Sequence, residues 1–274
     1  MSFRVACVQN CAGANISTNL EKVGALVLKA ARENADLICL PEYYSLIEKT
    51  DVSYLEKACS VSDHPAFQNA QELVSACGCW LLLGSIPVKA MGGKIFNQSI
   101  LMRPDGTVEE SYNKIHLFDV AIKDGQEYRE SNTVQAGTEA VLAQTPWGKL
   151  GLTICYDVRF PNLYHTLARN GAHFISVPAA FTAKTGAAHW HTLLKARAIE
   201  TGCYIFAPGQ CGERKWGRRT YGHSLIIDPW GKVLADGGDS EGFIISDVDP
   251  SMVGLVREMI PAVTNSQPFQ IKES

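Results

Sequence analysis

No apolar run in the 274 residues approaches the ~20 needed to cross a bilayer as a helix, so no membrane span is expected. An excess of basic residues is also missing. The formal net charge is −3, which removes the electrostatic ground for broad binding to nucleic acid or anionic membranes. Met1 leads straight into the strand-like FRVACVQ without a basic segment and an apolar targeting core, so a cytoplasmic protein is expected. The nine cysteines fit that compartment: an odd count set mostly in apolar segments reads as reduced thiols. Neither the pair Cys7 and Cys11 nor the pair Cys77 and Cys79 has zinc-ribbon spacing, so no metal or other cofactor is expected. No Pro/Gly/Ser-rich linker or low-complexity tract divides the chain. One domain over residues 1–274 is expected, with 261–274 as an irregular tail that could pack on a partner subunit.

What is present is an alternation of short β-rich runs and amphipathic helical stretches. FRVACVQ, ADLICLPE and WLLLGSIP read as buried strands, separated by a helix opened by Thr18 and Glu21 and by a second helix from Pro65 to Gly78. NQSILMRPDGTVEESY is a hairpin turning at PDG, and residues 115–139, polar and without periodicity, read as a long loop. Further strands in AVLAQTPWGKLGLTIC, FISVP, CYIFAP and GFIISDV alternate with helices over PNLYHTLARNGAH and 188–200 and a hairpin around DPWG. This mixture predicts an α/β fold with two mixed sheets packed face to face, a four-layer α-β-β-α sandwich. The strand ends LPE, TICYD and SVPAAF hint at internal pseudo-symmetry.

The chemistry is expected at strand ends, because ligands of open α/β sheets collect beyond the carboxyl ends of the strands. Glu42 follows LICLP, Lys114 follows the strand of Tyr112, and Cys155 follows LGLTI. A carboxylate, an ammonium and a thiol are the parts needed for acyl transfer through a thioester, with the carboxylate as base where no histidine adjoins the thiol. Singly, each has a bland reading: a solvated glutamate, a surface lysine, a core cysteine.

Five stretches change the weighting. LPEYYS, YNKIHLFD, GLTICYDVRFP, TGAAHWHTLLKARAIE and YGHSLIIDPWG occur in that order over nearly the whole chain. Together they resemble the nitrilase superfamily of carbon–nitrogen hydrolases. The resemblance implies a general base at Glu42, an electrophilic stabiliser at Lys114 and a nucleophile at Cys155. It implies a second glutamate that orients Lys114, for which Glu130 in ESNT is the candidate and Glu127 the nearby rival. Two glutamates and one lysine leave a net negative surround, which would raise rather than lower the thiol pKa. Glu42 is therefore expected to take the proton as sulfur attacks. The backbone N–H of Tyr156 would join Lys114 at the oxyanion, and ammonia would leave.

The same resemblance assigns Arg159 and Thr185 to a substrate carboxylate, which an Arg fork binds bidentately. Tyr43, Phe181, His189 and Trp190 are further candidates for the pocket wall. The expected substrate is a small carboxylate-bearing amide, and the expected partners are that small molecule and further copies of the chain in a homodimer or higher homo-oligomer, with no nucleic acid and no membrane. RAIETGCYIFAPGQCG and the basic stretch ERKWGRR (213–219) resemble the deaminated glutathione amidases more than the omega-amidases. That stretch is either a solvated loop or a lure for a longer anionic substrate. Asn162 stands where the family usually has Glu, and Ala187 where it commonly has Pro; both bear on substrate more than on reaction type. Rival readings are an omega-amidase, a nitrilase, an N-carbamoyl amino acid hydrolase and a non-catalytic binding protein. A zinc hydrolase using His189 and His191 is the weakest, since residues two apart on a helix do not share a face.

Overall fold

Neighbouring residues of the first strand, β1 (Phe3–Gln9), enter different cores: Val5 and Cys7 one hydrophobic cluster, Ala6 and Val8 another. The alternation repeats in β2 (Leu37–Cys39), where Leu37 and Cys39 face one way and Ile38 the other. Strands buried on both faces belong inside a layered α/β fold and read as unbroken apolar runs. The computed structural model describes residues 1–122, 126–265 and 267–273, and shows that layering.

The remaining strands are β3 (Trp80–Lys89), β4 (Ile95–Met102), β5 (Val108–Asn113), β6 (Asp119–Ile122), β7 (Gln126–Arg129), β8 (Val141–Thr145), β9 (Gly148–Leu152), β10 (Ala172–Ser176), β11 (Tyr204–Ala207), β12 (Leu225–Ile227), β13 (Val233–Asp236) and β14 (Gly242–Val248). The helices are α1 (Ile16–Arg32), α2 (Asp51–Lys57), α3 (Pro65–Cys77), α4 (Pro161–Arg169), α5 (Ala183–Thr201) and α6 (Ser251–Met259). One six-stranded sheet runs β14-β1-β2-β3-β4-β5 and the other β13-β12-β11-β10-β9-β8. Each has three central parallel strands, β1-β2-β3 and β9-β10-β11, with antiparallel strands outside them.

The inner faces meet through aromatic packing. Phe3 of β1 stacks on Trp147 at 4.3 Å and meets Phe174 of β10 edge-on at 5.3 Å. The outer face of the first sheet is covered by α1 and α3, through Leu20, Val23, Val27, Phe67 and Val74. Helices α4 and α5 lie against β10 and β11 of the second. The expected four-layer α-β-β-α sandwich with two mixed sheets is the observed fold.

Three local expectations need correction. Helix α1 begins at Ile16, and Asn15 is its cap: its side chain accepts from Thr18 N at 3.1 Å, so Thr18 is the capped residue. The stretch 115–139 contains the β6–β7 hairpin and a 3₁₀ turn at Glu130–Asn132. Its strands belong to neither large sheet, so no core imposes the periodicity that would have announced them. Helix α5 starts at Ala183, capped by Thr182, rather than at 188. Gly186 reads as a breaker but is a packing residue: a Cβ there would stand 2.3 Å from Tyr221 Cβ.

Gly84 in β3 shows how the sheet positions chemistry. A Cβ at this residue would lie 1.8 Å from the Leu40 carbonyl oxygen and 2.3 Å from that of Pro41. The chain leaving β2 therefore passes directly over Gly84 on its way to Glu42. Gly84→Ala is expected to destabilise the fold by about 3 kcal/mol, because backbone must move. Urea unfolding should show a lower midpoint at unchanged slope; an unshifted midpoint would refute the close approach.

Candidate active site

Strand β9 ends at Leu152, and the chain turns through a 3₁₀ helix at Cys155–Arg159. Cys155 makes that turn with φ at +48°, a left-handed conformation costly for a residue with a Cβ. The elbow is held from both sides. Cys155 N donates to Pro178 O at 2.9 Å. The fully buried Asp157 carboxylate accepts from Ile154 N at 2.8 Å, Tyr112 Oη at 2.7 Å and His116 N at 3.1 Å. Among the described residues Asp157 makes no ion pair with Arg159, which bonds His189 instead. The Tyr156 N–H lies in the first turn of this short helix, where no intrahelical acceptor is available.

The elbow delivers the sulfur to a pocket whose wall also includes Glu42, Lys114 and Glu130. Glu42 is 3% exposed and Lys114 2%, so both charges are withdrawn from bulk water and must be paired. Lys114 Nζ donates to Glu42 Oε1 at 2.9 Å and to Glu130 Oε1 and Oε2 at 3.1 and 2.9 Å. Glu42 Oε2 accepts from Ala180 N at 2.8 Å, and the Cys155 thiol lines the same pocket. Glu130 is aimed by Phe118 N, which donates to its Oε2 at 2.7 Å. The side chain of Glu127 lies outside the described residues.

Sequence reasoning missed Asn97. Its Nδ2 donates to Glu42 Oε1 at 2.9 Å and to Glu130 Oε1 at 3.2 Å, tying the two carboxylates together. The available signal was a fully buried amide within the apolar strand β4.

Burial alone would raise the Glu42 carboxyl. The charge and hydrogen bond of Lys114, with the Cys155 and Ala180 donors, outweigh burial and hold it below its ordinary value. Burial would lower Lys114, but Glu130 and Glu42 hold it well above. For Cys155 burial and the Glu42 charge act together and push the thiol up, against a smaller opposing effect of Lys114. The resting pair is therefore a carboxylate beside a protonated thiol.

Of the remaining expected residues, Tyr43, Tyr156, Phe181 and Thr185 line the pocket. Tyr43, next to Glu42, also sits at positive φ, +52°. Arg159 and His189 are not among the lining residues. The Arg159 guanidinium lies 5.8 Å from the Tyr156 ring centre and 5.2 Å from that of Phe181, behind the wall, and bonds His189 Nδ1 at 3.3 Å. Trp190 is core, donating from Nε1 to His223 O at 2.8 Å. The basic stretch divides: Arg214 is buried in loop hydrogen bonds, and Arg218 lines the pocket.

His191, two residues from His189, turns elsewhere. It meets Asp236 at 3.0 Å, which also meets His223 at 2.8 Å. Their potential ligand atoms lie within 4.8 Å of one another, but none of the three lines the pocket. Cys77 and Cys79 place their sulfurs 3.0 Å apart, and the shared hydrogen bond lowers the Cys77 thiol to about 7. Among the described residues no helix is long and apolar enough to cross a membrane.

The family description carbon-nitrogen hydrolase matches residues 4–258. The chain is 40% identical over 265 residues to a deaminated glutathione amidase of Synechocystis sp., covering 95% of this chain and 97% of that one. It is 38% identical over 269 residues to the deaminated glutathione amidase of Mus musculus, with 96% and 83% covered. Among crystal structures, the C. elegans NitFhit protein superposes with a TM-score of 0.91 at 34% identity, covering 97% of this chain, which spans 65% of that longer one. Saccharomyces cerevisiae Nit3, a member of branch 10 of the nitrilase superfamily, gives 0.87 at 28% identity, with 97% and 96% covered.

Proposed function

The chain belongs to the carbon–nitrogen hydrolase family and is a hydrolase of carbon–nitrogen bonds; from that premise we propose that it cleaves an amide of a small carboxylate-bearing acid through a Cys155 thioester, with deaminated glutathione as the preferred substrate. The observation that carries the reading is the bonded series Glu42–Lys114–Glu130 converging with Cys155 on one pocket. The relatives' activity supports the choice of substrate.

The steps are dictated by the charges. Sulfur attacks the amide carbon while its proton passes to Glu42. The carbonyl oxygen becomes an oxyanion facing the Tyr156 N–H and the Lys114 charge. Losing one such donor costs about 3–4 kcal/mol of transition-state stabilisation. Protonated Glu42 then hands its proton to the departing nitrogen, the C–N bond breaks, and the acyl group remains on sulfur. Glu42 next takes a proton from water, hydroxide adds to the thioester, and the thiol leaves reprotonated. Glu130 and Asn97 hold Glu42 and Lys114 in register throughout.

The chemistry of the substrate corrects one expectation. Deaminated glutathione has no primary amide, so cleavage beside its oxo-acid half frees a peptide amine; ammonia leaves only from primary amides. The deciding experiment measures both new amine and ammonia with deaminated glutathione, α-ketoglutaramate, aliphatic amides, nitriles and N-carbamoyl amino acids. Preference for the first supports the reading, and turnover confined to nitriles or carbamoyl compounds overturns it.

A pH profile tests the resting state. With the carboxyl depressed and the thiol raised, kcat/KM should be flat between about pH 5.5 and 8.5, bracketed by the ordinary carboxylate and thiol values. Activity falls only as pH drops through the depressed Glu42 value. Stability has the same sign: the contribution of a carboxylate with lowered pKa is present above its unfolded value and lost as pH falls through the folded one. A thiol titrating near pH 6–7 would contradict the raised Cys155.

We extend the proposal to a cytoplasmic homodimer. Support comes from nine free cysteines and from exposed Ile199 on α5 and Leu255 and Met259 on α6, apolar surface available to a second copy. Sedimentation at the protomer mass would remove the dimer.

A further inference from the structure

Arg218 is the one cation of the 213–219 stretch that lines the pocket, and it does so with no partner among the described residues. Its Nε is buried, and among those residues its guanidinium makes no hydrogen bond or ion pair. Among the described residues, every other charge of the pocket wall is paired: Glu42 and Glu130 share Lys114. Arg218 is half-buried, with its Nε sealed off and its terminal nitrogens left open, so its unpaired charge is available to a ligand in the pocket.

The loop holds Arg218 in place before any ligand arrives. Arg214 N donates to Arg218 O at 2.9 Å, and Gly217 N to Arg214 O at 2.8 Å, closing a tight turn with Gly217 at φ +85°. Arg214 fastens that turn to the body of the fold through Ala12 O, Cys211 O and Gln210 Oε1. On the other side Ala183 N donates to Arg219 O at 3.1 Å, joining the loop to the start of α5, where Thr182 and Thr185 also face the pocket. A receptor built this way loses little freedom on binding. Arg159, the other candidate, is already stacked over Tyr156 and Phe181 and bonded to His189.

We propose that Arg218 is the receptor for a substrate carboxylate, pairing with it while the amide carbon sits at Cys155. The inference rests on the amidase reading and adds the residue that selects the anion. The Arg218 guanidinium stays charged at the working pH, so a carboxylate that enters the pocket meets a cation.

The carboxylate could sit on the acyl half of the substrate or on the departing amine, and the test separates them. Wild type, Arg218→Gln and Arg218→Lys are assayed with deaminated glutathione, with a variant esterified on the oxo-acid carboxylate, and with one esterified on the glycine carboxylate. Arg218→Gln should lower kcat/KM for the free diacid by about 100-fold, mainly through KM, with partial rescue in Arg218→Lys, which keeps the charge but not the fork. The ester on which wild type and Arg218→Gln agree within about threefold identifies the carboxylate that Arg218 holds. Equal losses on all three substrates would overturn the proposal and leave Arg218 as a charge balance for the glutamates. So would an unchanged kcat/KM.

Binding is measured separately by titrating deaminated glutathione into Cys155→Ala, with and without Arg218→Gln. A Kd at least about 30-fold weaker in the double variant supports the receptor even if wild type cleaves none of the amides, in which case the reaction falls and the receptor stands. Cleavage by wild type with a Kd indifferent to Arg218 has the opposite meaning: the reaction stands and the receptor falls. Thermal melts of both Arg218 variants should match wild type within a few degrees, so that loss of binding is not loss of fold.

Discussion

Cys155→Ala is expected to lower turnover of every amide by at least about 10⁴-fold while leaving the melting temperature close to that of wild type. Removing the nucleophile of a unit that acts together abolishes nearly all of its rate enhancement, and positioning and oxyanion donors supply only the remainder. The fold should survive because Cys155 contributes a small side chain at positive φ, and Ala is no worse there than Cys. The departure of the thiol leaves the donors to Glu42, Ala180 N, Asn97 and Lys114, in place. A complementary readout uses wild type: hydroxylamine competing with water for the thioester should yield a hydroxamate of the acyl half. Retention of more than about 1% of activity in Cys155→Ala, with no hydroxamate formed by wild type, would remove covalent catalysis at this residue.

Lys114→Met should be damaging in a different way, costing both rate and about 3–5 kcal/mol of stability. Lys114 is the cation between Glu42 and Glu130, bonded to both within 3.1 Å. Without it the buried Glu42 carboxylate faces that of the half-buried Glu130 across Asn97. Desolvation and the neighbouring carboxylate charge would then raise the Glu42 pKa above that of the unfolded chain. That fixes the sign of the pH effect: protonation relieves the repulsion, so the stability gap to wild type narrows as pH falls toward 5 and widens above 7. Urea unfolding at both pH values measures it. A gap that stays constant with pH would mean that Lys114 contributes packing rather than charge. Glu42→Gln removes the base but not the pairing of Lys114 with Glu130, so it should lose rate without this pH-dependent loss of stability.

Much of the site could be read in one dimension because strand ends are marked locally. A run such as LGLTIC, buried on both faces, needs no partner to declare itself, and the residues just beyond it stand at the sheet edge where ligands collect. Cys155, Glu42 and Lys114 were found in this way. Asn97 was not, because its importance lies in two acceptors that approach it from the chain beyond β2 and from the turn after β7. Residues 115–139 failed for a related reason: the hairpin there has no core to face, and without burial there is no period to detect.

The amino-acid sequence by itself determined the layered α/β architecture, the reaction family and the three residues at strand ends, since each depends on local pattern and residue chemistry. Tertiary structure alone decided which arginine faces the pocket. Arg159 is four residues from the thiol yet packs behind the wall, and Arg218, 63 positions away by residue number, lines it with no partner among the described residues. Separation along the chain does not set where a guanidinium points; the turn closed by Arg214 and the stacking of Tyr156 and Phe181 do.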